Sequence, residues 1–265
     1  AVVKALQAHG HEVAMTGDGV NDVLALKTAD IGVAMGSGAA ATRAVAQLVL
    51  LDGRYTSLPL ALAEGRRVIA NIERVAILFL MKNVYAAVLA LAVTLVGVSY
   101  PFVPLHVTVI DFLTIGVPSF FLSLAPSNER AHHGFVSRVL RRAVPTGLVT
   151  GATILAAYLL ARTTAATDAE ADTTAVLALL AVGFTVVWLT ARPMTPGRWA
   201  LLAAVVAGAV VIFSVPWLRD FFDFDLPDTP EGYLPLLVVA PAVFILELLA
   251  RREAHRPDTE RPTHR

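Results

Sequence analysis

Cysteine is absent from the chain, which excludes disulfides and thiolate metal ligands from this segment. Lysine is almost as scarce, occurring only at Lys4, Lys27 and Lys82, so nearly all positive charge is carried by arginine. Net charge is lacking too. The 21 basic residues balance 21 acidic ones, and a nucleic-acid partner, which asks for a concentrated basic surface, is not expected. No signal peptide and no opening methionine are visible, and Ala1 falls in what reads as an amphipathic helix bearing Val2, Val3 and Leu6. The chain is therefore expected to begin inside a domain.

What is abundant is apolar. Of 265 residues, 56% are hydrophobic, and the mean hydropathy of +0.67 is far above that of a soluble domain. Stretches long enough to cross a bilayer are predicted at residues 75–98, 105–125, 144–161, 174–191, 199–215 and 233–250. The fifth is short, and the sixth contains Pro235 and Pro241. Charge alternates between the connections. Arg130, Arg138, Arg141 and Arg142 follow the second stretch, Arg192 and Arg198 the fourth, and Arg251, Arg252 and Arg256 the sixth. Asp168, Glu170 and Asp172 follow the third, and Asp220, Asp223, Asp225, Asp228 and Glu231 the fifth. Arginine on every second loop predicts a multi-pass protein with both the N-terminal region and the tail in the cytoplasm.

The soluble-looking N-terminal part holds the densest motif, Thr16-Gly17-Asp18-Gly19-Val20-Asn21-Asp22. Glu12 to Met15 reads as a short buried strand and Val23 to Lys27 as a helix, so Asp18 and Asp22 sit at a strand-to-helix turn. Amide groups at such a helix start favour anions, and Mg²⁺ is commonly held by one or two carboxylates together with phosphate and water. Gly-Asp-Gly alone is equally the signature of a tight turn.

The full motif, followed by Ala25-Leu26-Lys27 and Ala29-Asp30-Ile31-Gly32-Val33-Ala34-Met35-Gly36, resembles the hinge region of the P-type ATPase phosphorylation domain. The resemblance implies an α/β haloacid dehalogenase-like partial phosphorylation domain (1–56), a stalk (57–74), an all-α six-helix transmembrane domain (75–250) and a cytoplasmic tail (251–265). It implies that Asp18 coordinates Mg²⁺ during phosphoryl transfer. Asn21 and Asp22 are assigned to positioning phosphate, and Thr16 and Gly17 to the same pocket. The family's phosphorylated aspartate lies in an Asp-Lys-Thr-Gly-Thr run that does not occur here, and ATP is bound mainly by a domain also missing. The expectation is a C-terminal segment, inactive alone, that works with the N-terminal part of the same pump.

Polar residues inside apolar stretches cost about 2.5 to 3.5 kcal/mol for a central charge on insertion scales, so each asks for a reason. Lys82, Asn83, Asp111 and Thr114 are such residues. Asp111 and Thr114, three apart, are predicted to share a helix face, and Pro118 leaves the Thr114 carbonyl without its helical donor. Carboxylate, hydroxyl and carbonyl together suit a hard cation. Residues 104–118 are similar to the sixth membrane helix of calcium pumps, with Ile115 where those carry an aspartate. Residues 71–86 are similar to the fifth, with Asn83 on a ligand position and Ala86 in place of a glutamate. The resemblance makes Asn83, Asp111 and Thr114 ligands of a transported cation, and Lys82 a built-in counter-cation like the lysine of the gastric proton/potassium pump. Six helices after the phosphorylation domain, with no cysteine, argue against the soft-metal branch.

Other readings stay open at this point. Lys82 can snorkel to an interface, Asp111 can pair with it structurally, and Asn83 and Thr114 can hydrogen-bond between helices. His106, His132 and His133 read as surface residues, and Glu247 as the partner of Arg251 in an interfacial ion pair. The expected function is ATP-driven calcium transport in a bacterial plasma membrane, the bacterial origin inferred from the arginine, alanine and valine of a GC-rich genome. The alternatives are a pump for protons or another light cation, a membrane-anchored haloacid dehalogenase-like phosphatase, and a non-catalytic remnant.

Overall fold

The computed structural model describes residues 2–124, 134–164 and 167–254. Arg130, His132, His133, Arg256 and the last residue of the second predicted stretch lie outside them, as does the tail from 255 onward. The chain forms two compact units, residues 1–67 and 68–265.

In the first unit α1 (Val2–Ala8), β1 (Ala14–Gly17), α2 (Val23–Thr28), β2 (Ile31–Met35), α3 (Ala40–Val45) and β3 (Leu48–Leu50) follow one another. The strands make a parallel sheet in the order β1-β2-β3, with Ala14 opposite Ile31 and Val33 opposite Leu48. Parallel neighbours require a crossover, and α2 and α3 supply it. The apolar run of β2 is buried in the middle, Val33 and Ala34 being as fully buried as Leu26 of α2. The predicted buried strand over Glu12 to Met15 is shifted and more open: β1 spans Ala14–Gly17 with side chains exposed or half-buried. The reason is its place at one edge of the described sheet. The Asp30 carboxylate secures the turn into β2 by accepting from the Val13 N–H at 2.8 Å and from Gln7 at 3.1 Å. Those donors hold its pKa below the usual carboxylate value, the Val13 amide contributing most.

The membrane part consists of α4 (Leu58–Val96), α5 (Pro104–Asp111), a π-helical turn (Phe112–Gly116), α6 (Val117–Leu124), α7 (Phe135–Thr164), α8 (Asp168–Thr190), α9 (Pro196–Ser214), the short α10 (Pro216–Phe221), a 3-10 segment (Pro230–Val238) and α11 (Val239–Ala254). Six helical stretches in the described residues are long and apolar enough to cross a membrane, in agreement with the six predicted. The first of these, Tyr55–Val96, is α4 led by a 3-10 turn over Tyr55–Ser57. Pro235 lies in the 3-10 segment and Pro241 in the first turn of α11, where a missing N–H costs least.

α8 carries more buried residues than any other described helix and sits at the centre of the core. Asp168, Glu170 and Asp172, predicted in a loop, belong instead to its first turns, and Glu170 is buried. Thr167 caps this end by accepting from the Glu170 N–H at 3.1 Å, and acidic groups at a helix N-terminus are favoured by its dipole. Arg198, likewise predicted in a loop, is buried in the first turn of α9 and donates to the carbonyls of Ala191 at 3.0 Å and Pro193 at 2.8 Å. It satisfies backbone acceptors beyond the end of α8 that apolar neighbours would leave bare.

Candidate functional site

The Asp18 loop is built by glycine and by its own acids. Gly17 ends β1, and a Cβ there would lie 2.6 Å from Cβ of Asp22, so no larger residue fits without moving Asp22. Asp22 closes a 3-10 turn over Val20–Asp22, its Oδ2 accepting from the Gly19 N–H at 3.2 Å. That leaves Asp18 and Asn21 exposed, with no side-chain hydrogen bond among the described residues. Thr16 and Gly17 are half-buried in the strand.

A second loop that sequence reasoning did not single out holds the first. Gly38, between β2 and α3, packs so closely that a Cβ on it would lie 2.9 Å from the Asp18 carbonyl oxygen. The Ala39 N–H donates to that same oxygen at 2.8 Å, and the buried Thr42 hydroxyl donates to the Gly19 carbonyl at 2.8 Å. The backbone on both sides of Asp18 is thus clamped while its carboxylate projects to solvent. The signal in the sequence was Gly36-Ser37-Gly38, paired glycines after an apolar strand, as in the first loop.

One free carboxylate on a rigid loop fits a magnesium ion completed by water and phosphate, the usual way proteins hold this ion. It does not make an all-protein metal cage: no group of three or more potential ligating side chains of His, Cys, Asp or Glu type occurs among the described residues.

In the membrane part, Lys82 Nζ donates to Asp111 Oδ2, joining α4 to α5. Asp111 Oδ1 is buried without a partner among the described residues. The pair is still open, with side chains 30% and 33% exposed. Asn83, the next residue on α4, is exposed and makes no side-chain hydrogen bond among the described residues. Thr114 goes elsewhere. It lies in the π turn, is buried, and its hydroxyl donates to the Ile110 carbonyl at 2.7 Å. Its methyl group packs where a Cβ on Gly183 of α8 would come within 2.7 Å. A π turn adds a residue to the helical repeat, so positions three apart no longer stack as in an α-helix. The structure therefore brings Lys82 and Asp111 together, turns Thr114 toward α8, and leaves Asn83 on the outer surface of the described bundle. Ile115 is buried.

The position of Lys82 is set by close packing. Gly147 and Gly151 of α7 face α4, where added Cβ atoms would lie 2.5 Å from Cβ of Val84 and 2.9 Å from Cγ1 of Val88. Small residues at this spacing let helix backbones approach. Toward one end of the bundle, Asn71 donates to the Ser123 carbonyl at 2.9 Å and accepts from the buried Arg74 at 3.0 Å. Glu73 accepts hydrogen bonds from Arg138, one of 2.9 Å between Nη2 and Oε2, and Arg142 meets Glu253 at 2.6 Å. Glu247 pairs with Arg251 as predicted, at 2.8 Å, and also with Arg192, at 2.8 and 3.1 Å.

His106 is a correction. Predicted at the surface, it is 2% exposed, stacked on Phe224 with ring centres 4.6 Å apart. The connection after α10 folds back over it, which no local pattern announced.

Residues 1–54 match the model of the haloacid dehalogenase-like hydrolase family. The calcium-transporting ATPase CtpE of Mycolicibacterium smegmatis is 50% identical over 263 residues, covering 94% of this chain and 33% of that protein. The chain belongs to the P-type cation-transporting ATPases. A probable cation-transporting ATPase, exp7, of Streptococcus pneumoniae is 32% identical over 92% of the chain and 33% of its own length. The calcium-transporting ATPase of Bacillus subtilis is 39% identical over 46% of the chain and 14% of its own length. The chain spans about a third of the length of the relatives it matches over most of its own. With six membrane-length helices, this P-type ATPase segment is an integral, multi-pass membrane protein.

Proposed function

We propose that the chain supplies the magnesium-binding hinge of the phosphorylation domain and the last six membrane helices of a calcium pump in a bacterial plasma membrane. In this reading Asp18 is a Mg²⁺ ligand, and the bound ion neutralises charge developing on a transferred phosphoryl group. Asp22 keeps the loop in shape, Gly38, Ala39 and Thr42 fix its backbone, and Asn21, Thr16 and Gly17 line the phosphate side. ATP and the phosphorylated residue come from the remainder of the pump.

The observation that carries the transport reading is the half-exposed Lys82–Asp111 pair within membrane-length helices. An anchor for a phosphatase has no need of it, and a charged pair does not face lipid without cost. Further helices of the same pump are expected to cover this face, with Asn83 and Asp111 offering oxygen to the cation and Thr114 shaping the helix behind them. Lys82 competes with the ion for Asp111, since either can neutralise the carboxylate.

In the complete pump, Asp111→Asn is expected to abolish calcium-dependent phosphoenzyme formation, because a neutral amide cannot offset dehydration of a divalent cation beside an ammonium. Lys82→Ala is expected to preserve phosphorylation while changing the apparent calcium affinity and the charge moved per cycle, read as current from reconstituted vesicles. Wild-type calcium dependence in Asp111→Asn removes calcium from this site. Phosphorylation that ignores calcium but follows pH supports the second reading, a proton or light-cation pump, which the built-in Lys82 favours.

A further inference from the structure

The connection between α10 and the 3-10 segment is not a loose loop. Asp223 adopts φ of 61°, a left-handed conformation uncommon outside glycine. Its carbonyl oxygen lies 2.9 Å from His106 Nε2. Phe224 is buried between the His106 ring and Phe213 of α9, each centred 4.6 Å away. The Asp225 N–H donates to Thr173 of α8 at 2.9 Å. Three residues of the connection thus tie α5, α8 and α9 together, at a histidine five positions before Asp111.

A carbonyl can only accept, so Nε2 carries the proton and Nδ1 of the neutral ring is bare. Nδ1 is buried with no partner among the described residues. A proton added there finds no acceptor, and the ring has to leave its slot to hydrate it. The charged groups around this end are Asp223 and Asp225 of the connection, Asp168, Glu170 and Asp172 of α8, Arg162 of α7, and Arg219 and Asp220 of α10. Arg162 is engaged by Asp168 at 3.4 Å, and none of these carboxylates reaches Nδ1. They attract an imidazolium that has left its slot, adding to the drive for release.

We propose that residues 222–225 form a latch seated on His106 that opens when this imidazole takes up a proton, freeing the outer end of the helix that carries Asp111. The latch is independent of which ion the pump carries. In the complete pump, with any cysteine outside this cysteine-free segment replaced, Asp228→Cys gives a single nitroxide site on the exposed part of the connection in nanodiscs. Its electron-paramagnetic-resonance spectrum is expected to be immobilised at pH 8 and to gain a mobile component as pH falls through the imidazole range. His106→Gln keeps an N–H donor without titrating and is expected to hold the immobilised spectrum throughout. Asp172→Asn is expected to leave the transition in place. Thr173→Ala, which removes the acceptor of the Asp225 amide, is expected to raise its midpoint by about half a pH unit or more, and this test stands even if His106→Gln fails to fold. A spectrum independent of pH, a transition that survives in His106→Gln or vanishes in Asp172→Asn, or an unmoved midpoint in Thr173→Ala overturns the proposal.

Discussion

Asp18 and Asp22 are four residues apart and chemically identical, yet their surroundings give them different work. Asp22 spends its carboxylate on the Gly19 amide, while Asp18 has its backbone clamped and its carboxylate free. In the complete pump, Asp18→Ala should remove the proposed Mg²⁺ ligand, worth several kcal/mol at the transition state. At about 1.4 kcal/mol per decade, phosphoenzyme formation should fall by more than about 100-fold, with membrane insertion unchanged. Asp22→Ala should act through loop geometry, and raised magnesium should restore part of its activity but none of the Asp18→Ala loss. Equal rescue of both variants, measured by phosphoenzyme yield against magnesium concentration, contradicts this division. The sequence showed the two acids but not which was free, because that depends on where Gly38, Ala39 and Thr42 fold back onto the loop.

At the scale of elements, α4 is the decisive piece, carrying Asn71 and Arg74 toward the end of α6, Lys82 toward Asp111, and a flat surface toward α7. Its contact with Gly147 leaves no room for a side chain. Gly147→Val should overpack this crossing at a cost of roughly 1–3 kcal/mol and displace Lys82 from Asp111. Gly197→Ala is the control, since nothing lies within 4 Å of a Cβ there. Thermal denaturation in detergent should show a lower midpoint for Gly147→Val and no change for Gly197→Ala. The apolar periodicity of α4 was legible, with buried Leu78, Met81, Tyr85, Leu89 and Val93 at helical spacing. The π turn after Asp111 was not legible: Pro118 pointed only to a Thr114 carbonyl without its donor, on a helix read as regular. Which neighbour Thr114 meets followed from the turn and from Gly183.

At the scale of the molecule, the two ends of the bundle separate by charge. Glu73–Arg138, Arg142–Glu253 and Arg192–Glu247 gather at one end, while His106, Thr167, Thr173 and the 222–225 connection gather at the other. From the arginine excess we propose that the first end faces the cytoplasm. Single cysteines at Ser137 and Thr229 should therefore react with an impermeant maleimide from opposite sides of sealed vesicles, and same-side labelling contradicts an alternating six-span path. Sequence alone determined the class of this protein, because hydropathy, arginine placement and the Gly-Asp-Gly motif are local properties that survive without knowing what packs against what. Tertiary structure decided burial and partnership. His106 looks like a surface residue until the distant Asp223 carbonyl closes over it, Arg198 looks like loop charge until the carbonyls of Ala191 and Pro193 take it up, and Glu170 looks like loop charge until Thr167 caps the helix that holds it. A polar side chain is defined by its acceptors, and these came from residues as far away as Asp223 is from His106.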